Sequence, residues 1–228
     1  MPARNSRKIY SDGGTYHVYN RGVEKRIIFE DEQDYKVMLN YLKEYLSPIS
    51  KNDIVKTTFL IRNSSYVGFK RKPKNYNNQL ELLAYCLMPN HFHLILRVDK
   101  GGVLKKFMQS LLTRYSMYFN KKHNRVGSLF QGRYKAVLVN EEIYLLHLSR
   151  YIHLNPYEYT KDLVESYSSY DDYLGVRDTK WLNKKIILAY FNNKVLPDFK
   201  KINSYKKFVE NYKKDSSTIL GRLVIEEL

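Results

Sequence analysis

The chain has 228 residues, room for one large domain or for a core with an appendage, and its 39 Lys and Arg outweigh 23 Asp and Glu to give a formal charge of +16. Such an excess favours a polyanionic partner, with nucleic acid ahead of an anionic membrane surface. Apolar runs that are short and broken by charge exclude a spanning segment or signal h-region and predict a soluble, unexported protein; the single cysteine, Cys86, excludes a disulfide framework and a thiolate metal cluster.

Residues 1–14 are polar, basic and glycine-containing, and read as a loose start. Thr15 to Tyr19 alternate in polarity, with His17 and Tyr19 on one face, and predict a strand ending at Asn20-Arg21-Gly22. From Asp31 to about Leu46 the apolar residues recur at helical spacing, predicting a first helix. Within 47–79, residues 54–61 suit a short strand, while 63–79, dense in Ser, Asn, Lys and Tyr, read as an insertion with a mobile, basic, aromatic tip. Lys70, Arg71 and Lys72 at that tip are expected to meet nucleic-acid phosphates.

Leu80 to Met88 predicts a strand, Pro89-Asn90 a tight turn and His91 to Val98 its hairpin partner, with Cys86 in the core. A helical stripe from Val103 to about His123 gives a second helix, and Gly127 to Val139 reads as extended. Asn140 is the expected N-cap of a third helix, with Glu141 and Glu142 at its positive end and Asn155-Pro156 as its stop. Strand, helix, hairpin, helix, strand, helix predicts an α+β fold, an antiparallel sheet with helices packed on it. Beyond Pro156, residues 181–191 and 205–212 read as short helices in a basic tail.

Within the hairpin, His91-Phe92-His93 puts two imidazoles on one face of a strand, while Phe92, Leu94, Leu96 and Val98 line the other. The apolar face takes the core, and the histidines are left facing a cleft. Paired neutral imidazoles suit a metal, and a basic chain makes phosphate the group for that metal to polarise. A half-buried strand whose polar side carries histidine would look the same. On the third helix His147, Tyr151 and Asn155 fall at successive i, i+4 steps, a polar stripe beside Leu145, Leu148 and Ile152. A tyrosine one turn before an amide suits a metal-assisted nucleophile, the phenol being weak at its free pKa. Periodicity alone does not choose Tyr151 over Tyr115, Tyr118 or Tyr144.

Five blocks in order carry a resemblance: Tyr16-His-Val-Tyr-Asn-Arg-Gly22, Met88-Pro-Asn-His-Phe-His-Leu94, Leu129-Phe-Gln-Gly-Arg-Tyr-Lys135, Arg150-Tyr-Ile-His-Leu-Asn-Pro156 and Ser168-Ser-Tyr-Asp-Asp-Tyr-Leu174. Together they resemble the IS200-like transposases, and among these the REP-associated tyrosine transposases. The resemblance implies a single-tyrosine HUH endonuclease on a ferredoxin-like sheet. It places the metal-binding pair on His91 and His93, the nucleophile on Tyr151 and the third ligand on Asn155, where insertion-sequence members carry a glutamine. His147 could orient the phenol or the phosphate, a solvated helix position being the expected alternative. Arg21, Arg133 and Lys135 are expected to face DNA. The implied reaction is transesterification on single-stranded or hairpin DNA with Mg2+ or Mn2+, through a 5′-phosphotyrosine, in the prokaryotic cytoplasm or nucleoid. The implied organisation is a catalytic domain over 1–156 and a helical extension over 157–228, acting as a monomer or homodimer and without a membrane. An HUH replication initiator and a non-catalytic nucleic-acid-binding module are the competing readings.

Overall fold

Pro89 and Asn90 reverse the chain between two long strands, and the turn is held from outside as well as from within. Ile28 and Phe29 donate their backbone N–H groups to Pro89 O, and Gly22 N donates to Asn90 O at 2.8 Å. Gly22 is required there, because a Cβ would lie 2.2 Å from Arg26 O. The computed structural model describes residues 8–49, 56–61, 64–69, 74–160, 162–192 and 204–211. Their elements are β1 (Thr15–Arg21), α1 (Glu32–Leu46), β2 (Lys56–Ile61), β3 (Ser64–Phe69), β4 (Leu80–Met88), β5 (His91–Val98), α2 (Gly101–Lys122), β6 (Lys135–Val139), α3 (Glu142–Leu154), α4 (Tyr170–Leu174), α5 (Lys185–Asn192) and α6 (Tyr205–Glu210).

Strands β4, β5, β1 and β6 form one antiparallel sheet in that order, with β1 and β5 at its centre. The element order predicts such an α+β antiparallel sheet, and its strand order is the ferredoxin-like winding that the resemblance implies. The two faces of the sheet divide by register. Tyr16, Val18 and Asn20 of β1 lie opposite Leu96, Leu94 and Phe92 of β5, and this face takes the core under α1 and α2, with Phe130 wedged between Phe92 and Tyr115. On the other face Tyr19 lies opposite His93 and Lys135, and Arg21 lies opposite His91. Helix α3 crosses this second face, contacting β4, β5 and β6.

Helix α1 starts at Asp31, whose side chain accepts from Asp34 N, and α1 is tied to the end of α2 by the buried Asp34. That carboxylate accepts from Tyr118 Oη at 2.9 Å and Lys122 Nζ at 2.8 Å, and burial of a charge is tolerable because it is paired in this way. Cys86 is a free, buried core thiol, as expected.

Several local expectations change. Residues 8–14 are not a loose start: Asp12 Oδ1 accepts from Gly101 N at 2.9 Å, and Tyr16 Oη accepts from Ser11 N at 2.6 Å. The insertion holds a second strand, β3, paired with β2 in a separate two-stranded sheet; Tyr66, Val67 and Phe69 are strand-favouring residues within the otherwise loop-like stretch. Lys70, Arg71 and Lys72 lie outside the described residues. The extended stretch from Gly127 is confined to β6, since left-handed φ values at Gly127 and Gly132 turn the chain before Lys135. Asn140 does not cap α3. Glu141 occupies the cap position with extended backbone and no side-chain cap, and its carbonyl accepts from Leu145 N.

Helix α4 has no counterpart among the expected elements; its start follows Ser169 and its end is set by the left-handed Gly175. The segments after Pro156 pack inward: Tyr170, Tyr173, Ile187, Tyr205 and Phe208 join the same buried cluster as the sheet, with α5 and α6 against α3.

Candidate functional site

His91 and His93 leave β5 on the face crossed by α3, so the cleft expected beside them is roofed by that helix. His91 is 7% exposed and His93 fully buried. Each ring has a backing partner at Nδ1. His91 Nδ1 lies 2.6 Å from Asn90 Oδ1; the amide is oriented by its own Nδ2, which donates to Lys25 O, so the imidazole must be the donor. His93 Nδ1 lies 2.9 Å from His17 Nε2. Burial lowers the His91 pKa to about 4, with the Arg21 charge pushing the same way and contact with the Asn155 side chain opposing it. Burial, reinforced by His91 and His17, holds His93 well below the ordinary histidine range. Both rings are therefore neutral at physiological pH and keep a lone pair.

Tyr151 and Asn155 come to the same place from α3. The Tyr151 ring stands edge-on to His93 and to His17, with centroids 5.5 and 6.5 Å away. Asn155 Nδ2 donates to Tyr151 O at 2.9 Å, and the same side chain also reaches His91. The other tyrosines left open by periodicity are placed differently. Tyr115 Oη donates to Ile28 O at 2.5 Å, and Tyr118 Oη to Asp34, both under the opposite face of the sheet. Tyr144 is partly buried against the core.

Whether these residues fit a divalent metal can be judged from one atom. His93 Nε2 is fully buried and has no hydrogen-bond partner. A buried nitrogen without a partner is costly unless it awaits a ligand, and a neutral imidazole backed at Nδ1 offers that nitrogen as a lone pair. His91 Nε2 and the Asn155 amide oxygen would extend that donor to a nitrogen, nitrogen, oxygen set, a donor chemistry that fits Mn2+ and is acceptable to Mg2+. Among the described residues no group of three His, Cys, Asp or Glu side chains makes a metal cluster, and the candidate third protein donor is the Asn155 amide.

Basic residues border this face. Lys135 pairs with Tyr19 in the sheet, and Arg21 lies opposite His91. Arg133 is exposed, and its charge together with that of Lys135 adds to burial in lowering the pKa of Lys8, whose ammonium sits 4.5 Å over the Tyr134 ring. Lys8 escaped the sequence reading because nothing local distinguishes it from its basic neighbours.

His147 is not solvated; it is 9% exposed, on the side of α3 that meets α6. Its Nδ1 is bonded by the Arg150 guanidinium, which lies over Phe208, and burial with the arginine charge lowers its pKa to about 4. His153, also buried, joins Tyr205 Oη at Nδ1 and Ser169 Oγ at Nε2, both at 2.7 Å. These contacts fix α3, and with it Tyr151, from behind.

No curated protein matches this chain in sequence. Among solved structures, one described as the structure of the REP-associated tyrosine transposase bound to a REP hairpin is 14% identical, spans 79% of this chain and 98% of its own, and superposes with a TM-score of 0.49. No helix among the described residues is long and apolar enough to cross a membrane. The segment from β3 to Asn155, which holds both histidines, the tyrosine and the amide, matches the family model described as "Transposase IS200 like" over residues 68–155, and so bears out the resemblance carried by the sequence blocks.

Proposed function

We propose that this chain is a metal-dependent, single-stranded DNA endonuclease and strand transferase that works through a phosphotyrosine at Tyr151. The observation that carries the reading is the meeting of a helix-borne phenol with a strand-borne imidazole whose buried Nε2 has no partner. His91, His93 and Asn155 would hold Mg2+ or Mn2+, and the bound ion supplies withdrawal of charge from the scissile phosphate. Tyr151 oxygen attacks phosphorus, losing its proton to water. The bond from phosphorus to the 3′-oxygen breaks, and that oxygen leaves with the electron pair and takes up a proton. The products are a 5′-phosphotyrosine and a free 3′-hydroxyl, and attack by a 3′-hydroxyl on the same linkage rejoins a strand and restores the phenol. Neither water nor a nucleotide cofactor is consumed.

The excess of 16 positive charges supports a nucleic-acid substrate, with Lys8, Arg21, Arg133 and Lys135 as the nearest backbone contacts around the histidine face. Residues 1–156 are assigned the chemistry, and within the extension from 157 onwards α5 and α6 pack against α3 and secure it. Hairpin DNA is the substrate form to try first, after the ligand named for the similar solved structure.

Incubating the protein with end-labelled, hairpin-bearing single strands and Mn2+ should give a covalent adduct on a denaturing gel, lost on chelation. Tight DNA binding with no adduct under any metal would instead support the non-catalytic binding module.

A further inference from the structure

We propose that His17 is a positioning residue for the candidate metal centre: its Nε2 accepts the Nδ1–H of His93 and thereby fixes the tautomer and aim of that ring. The inference rests on the metal reading above and extends it to a residue outside the donor set.

The register explains why His17 can do this. Tyr19 is the direct neighbour of His93 across β1 and β5, so His17, two residues earlier, is its diagonal neighbour on the same face. The two imidazoles are nearly parallel, at 14° with centroids 5.1 Å apart, and their nitrogens are 2.9 Å apart. Both residues are fully buried in the two central strands, where neither ring can swing without disturbing the sheet. His93 has one nitrogen on His17 and the other without a hydrogen-bond partner. For Nε2 to present a lone pair, the proton must be on Nδ1, and an acceptor there is what holds it. His17 Nε2 is that acceptor, so His17 carries its own proton on Nδ1.

The choice of acceptor has a chemical consequence. A carboxylate in this place would add negative charge behind the centre, whereas an imidazole does not. The candidate donors and their backing groups at His91 and His93 are imidazoles and amides with no carboxylate among them, so the charge of a bound divalent ion would be left to act on an anionic phosphate.

The test is Mn2+ affinity, measured by titration calorimetry on the full chain without DNA, with the absorption bands of the Co2+-loaded protein as a second readout. His17→Leu should weaken Mn2+ binding by about 10- to 100-fold and alter the Co2+ bands. His17→Gln, whose amide oxygen can take the place of Nε2, should restore affinity to within a few-fold. If the leucine variant does not fold, His17→Asn, polar but too short to reach His93, should show the same loss. A folded leucine or asparagine variant that binds Mn2+ as the unmodified chain does would overturn the role of His17 alone. Absence of Mn2+ and Co2+ binding by the unmodified chain would overturn the metal reading, and this inference with it.

Discussion

The ring of Tyr151 meets that of His93 edge-on, with planes at 89° and centroids 5.5 Å apart, so that a helix and the middle of a sheet each contribute half of one site. Tyr151→Phe keeps the ring and removes the oxygen. The expected result is complete loss of the covalent DNA adduct, with stability changed by no more than about 1 kcal/mol, the worth of one hydrogen bond. Tyr115→Phe, Tyr118→Phe and Tyr144→Phe should retain the adduct, and Tyr115→Phe should cost about 1 kcal/mol because its hydroxyl donates to Ile28 O. Mapping the phosphotyrosine peptide decides the assignment; an adduct on another tyrosine refutes it.

His91→Ala and His93→Ala should abolish metal-dependent cleavage while leaving most DNA affinity, because the pair serves the ion more than the strand's backbone. Asn155→Ala should be milder than either, since water can replace one oxygen around a hard cation. Gel-shift affinity and single-turnover cleavage, measured side by side with circular dichroism, separate this outcome from simple unfolding.

Acid should destabilise the fold through His147. Its folded pKa is depressed to about 4, whereas the unfolded side chain titrates near the ordinary 6.5, so unfolding takes up a proton between these values. The contribution is fully present above about pH 6.5 and is lost as pH falls towards 4, on the order of 3 kcal/mol in all. Urea midpoints between pH 7.5 and 4.5 should fall for the unmodified chain and fall less steeply for His147→Gln. An unchanged slope in the variant would assign the acid sensitivity to other groups.

Helix α6 should prove necessary to the stability of α3. Phe208 is fully buried against Arg150 and His147, so Phe208→Ala is expected to cost about 3–5 kcal/mol in chemical denaturation. Tyr205→Phe leaves His153 Nδ1 buried without its partner and should cost about 1–3 kcal/mol. Full stability in both variants would mean that α6 is dispensable.

DNA affinity should fall steeply with salt, with a log-log slope that counts neutralised phosphates. Replacing Lys8, Arg133 and Lys135 by Ala should reduce the slope by about 0.7 for each phosphate of a single strand that is no longer neutralised. The triple replacement of Lys70, Arg71 and Lys72 should also flatten it without abolishing cleavage. Slopes identical to that of the unmodified chain would place the strand elsewhere.

Much of this architecture is legible because the hydrophobic periods are strong where they matter. The alternation in β1 and β5 and the stripes in α1 and α2 locate the sheet and its covering layer, and the tight turn at Pro89-Asn90 stands where the sequence puts it. The pairing of β3 is not legible, since backbone hydrogen bonds carry it and its composition resembles a loop. His17 is readable only as an alternating strand residue, because its meeting with His93 depends on a register between strands some 76 positions apart in sequence. His147 reads as solvated because a local window does not show that α6 returns to cover that side of α3.

Strand β5 is hydrogen-bonded to a neighbour on both sides, whereas α3 is held by side-chain contacts, against the sheet on one side and α5 and α6 on the other. The amides of β5 should therefore exchange with solvent at the rate of global unfolding, and those around Tyr151 sooner, whenever α6 lifts. That exchange pattern would put the two halves of the site on opposite sides of a seam between cooperative units, so that a modest local release separates the phenol from the imidazoles without melting the sheet.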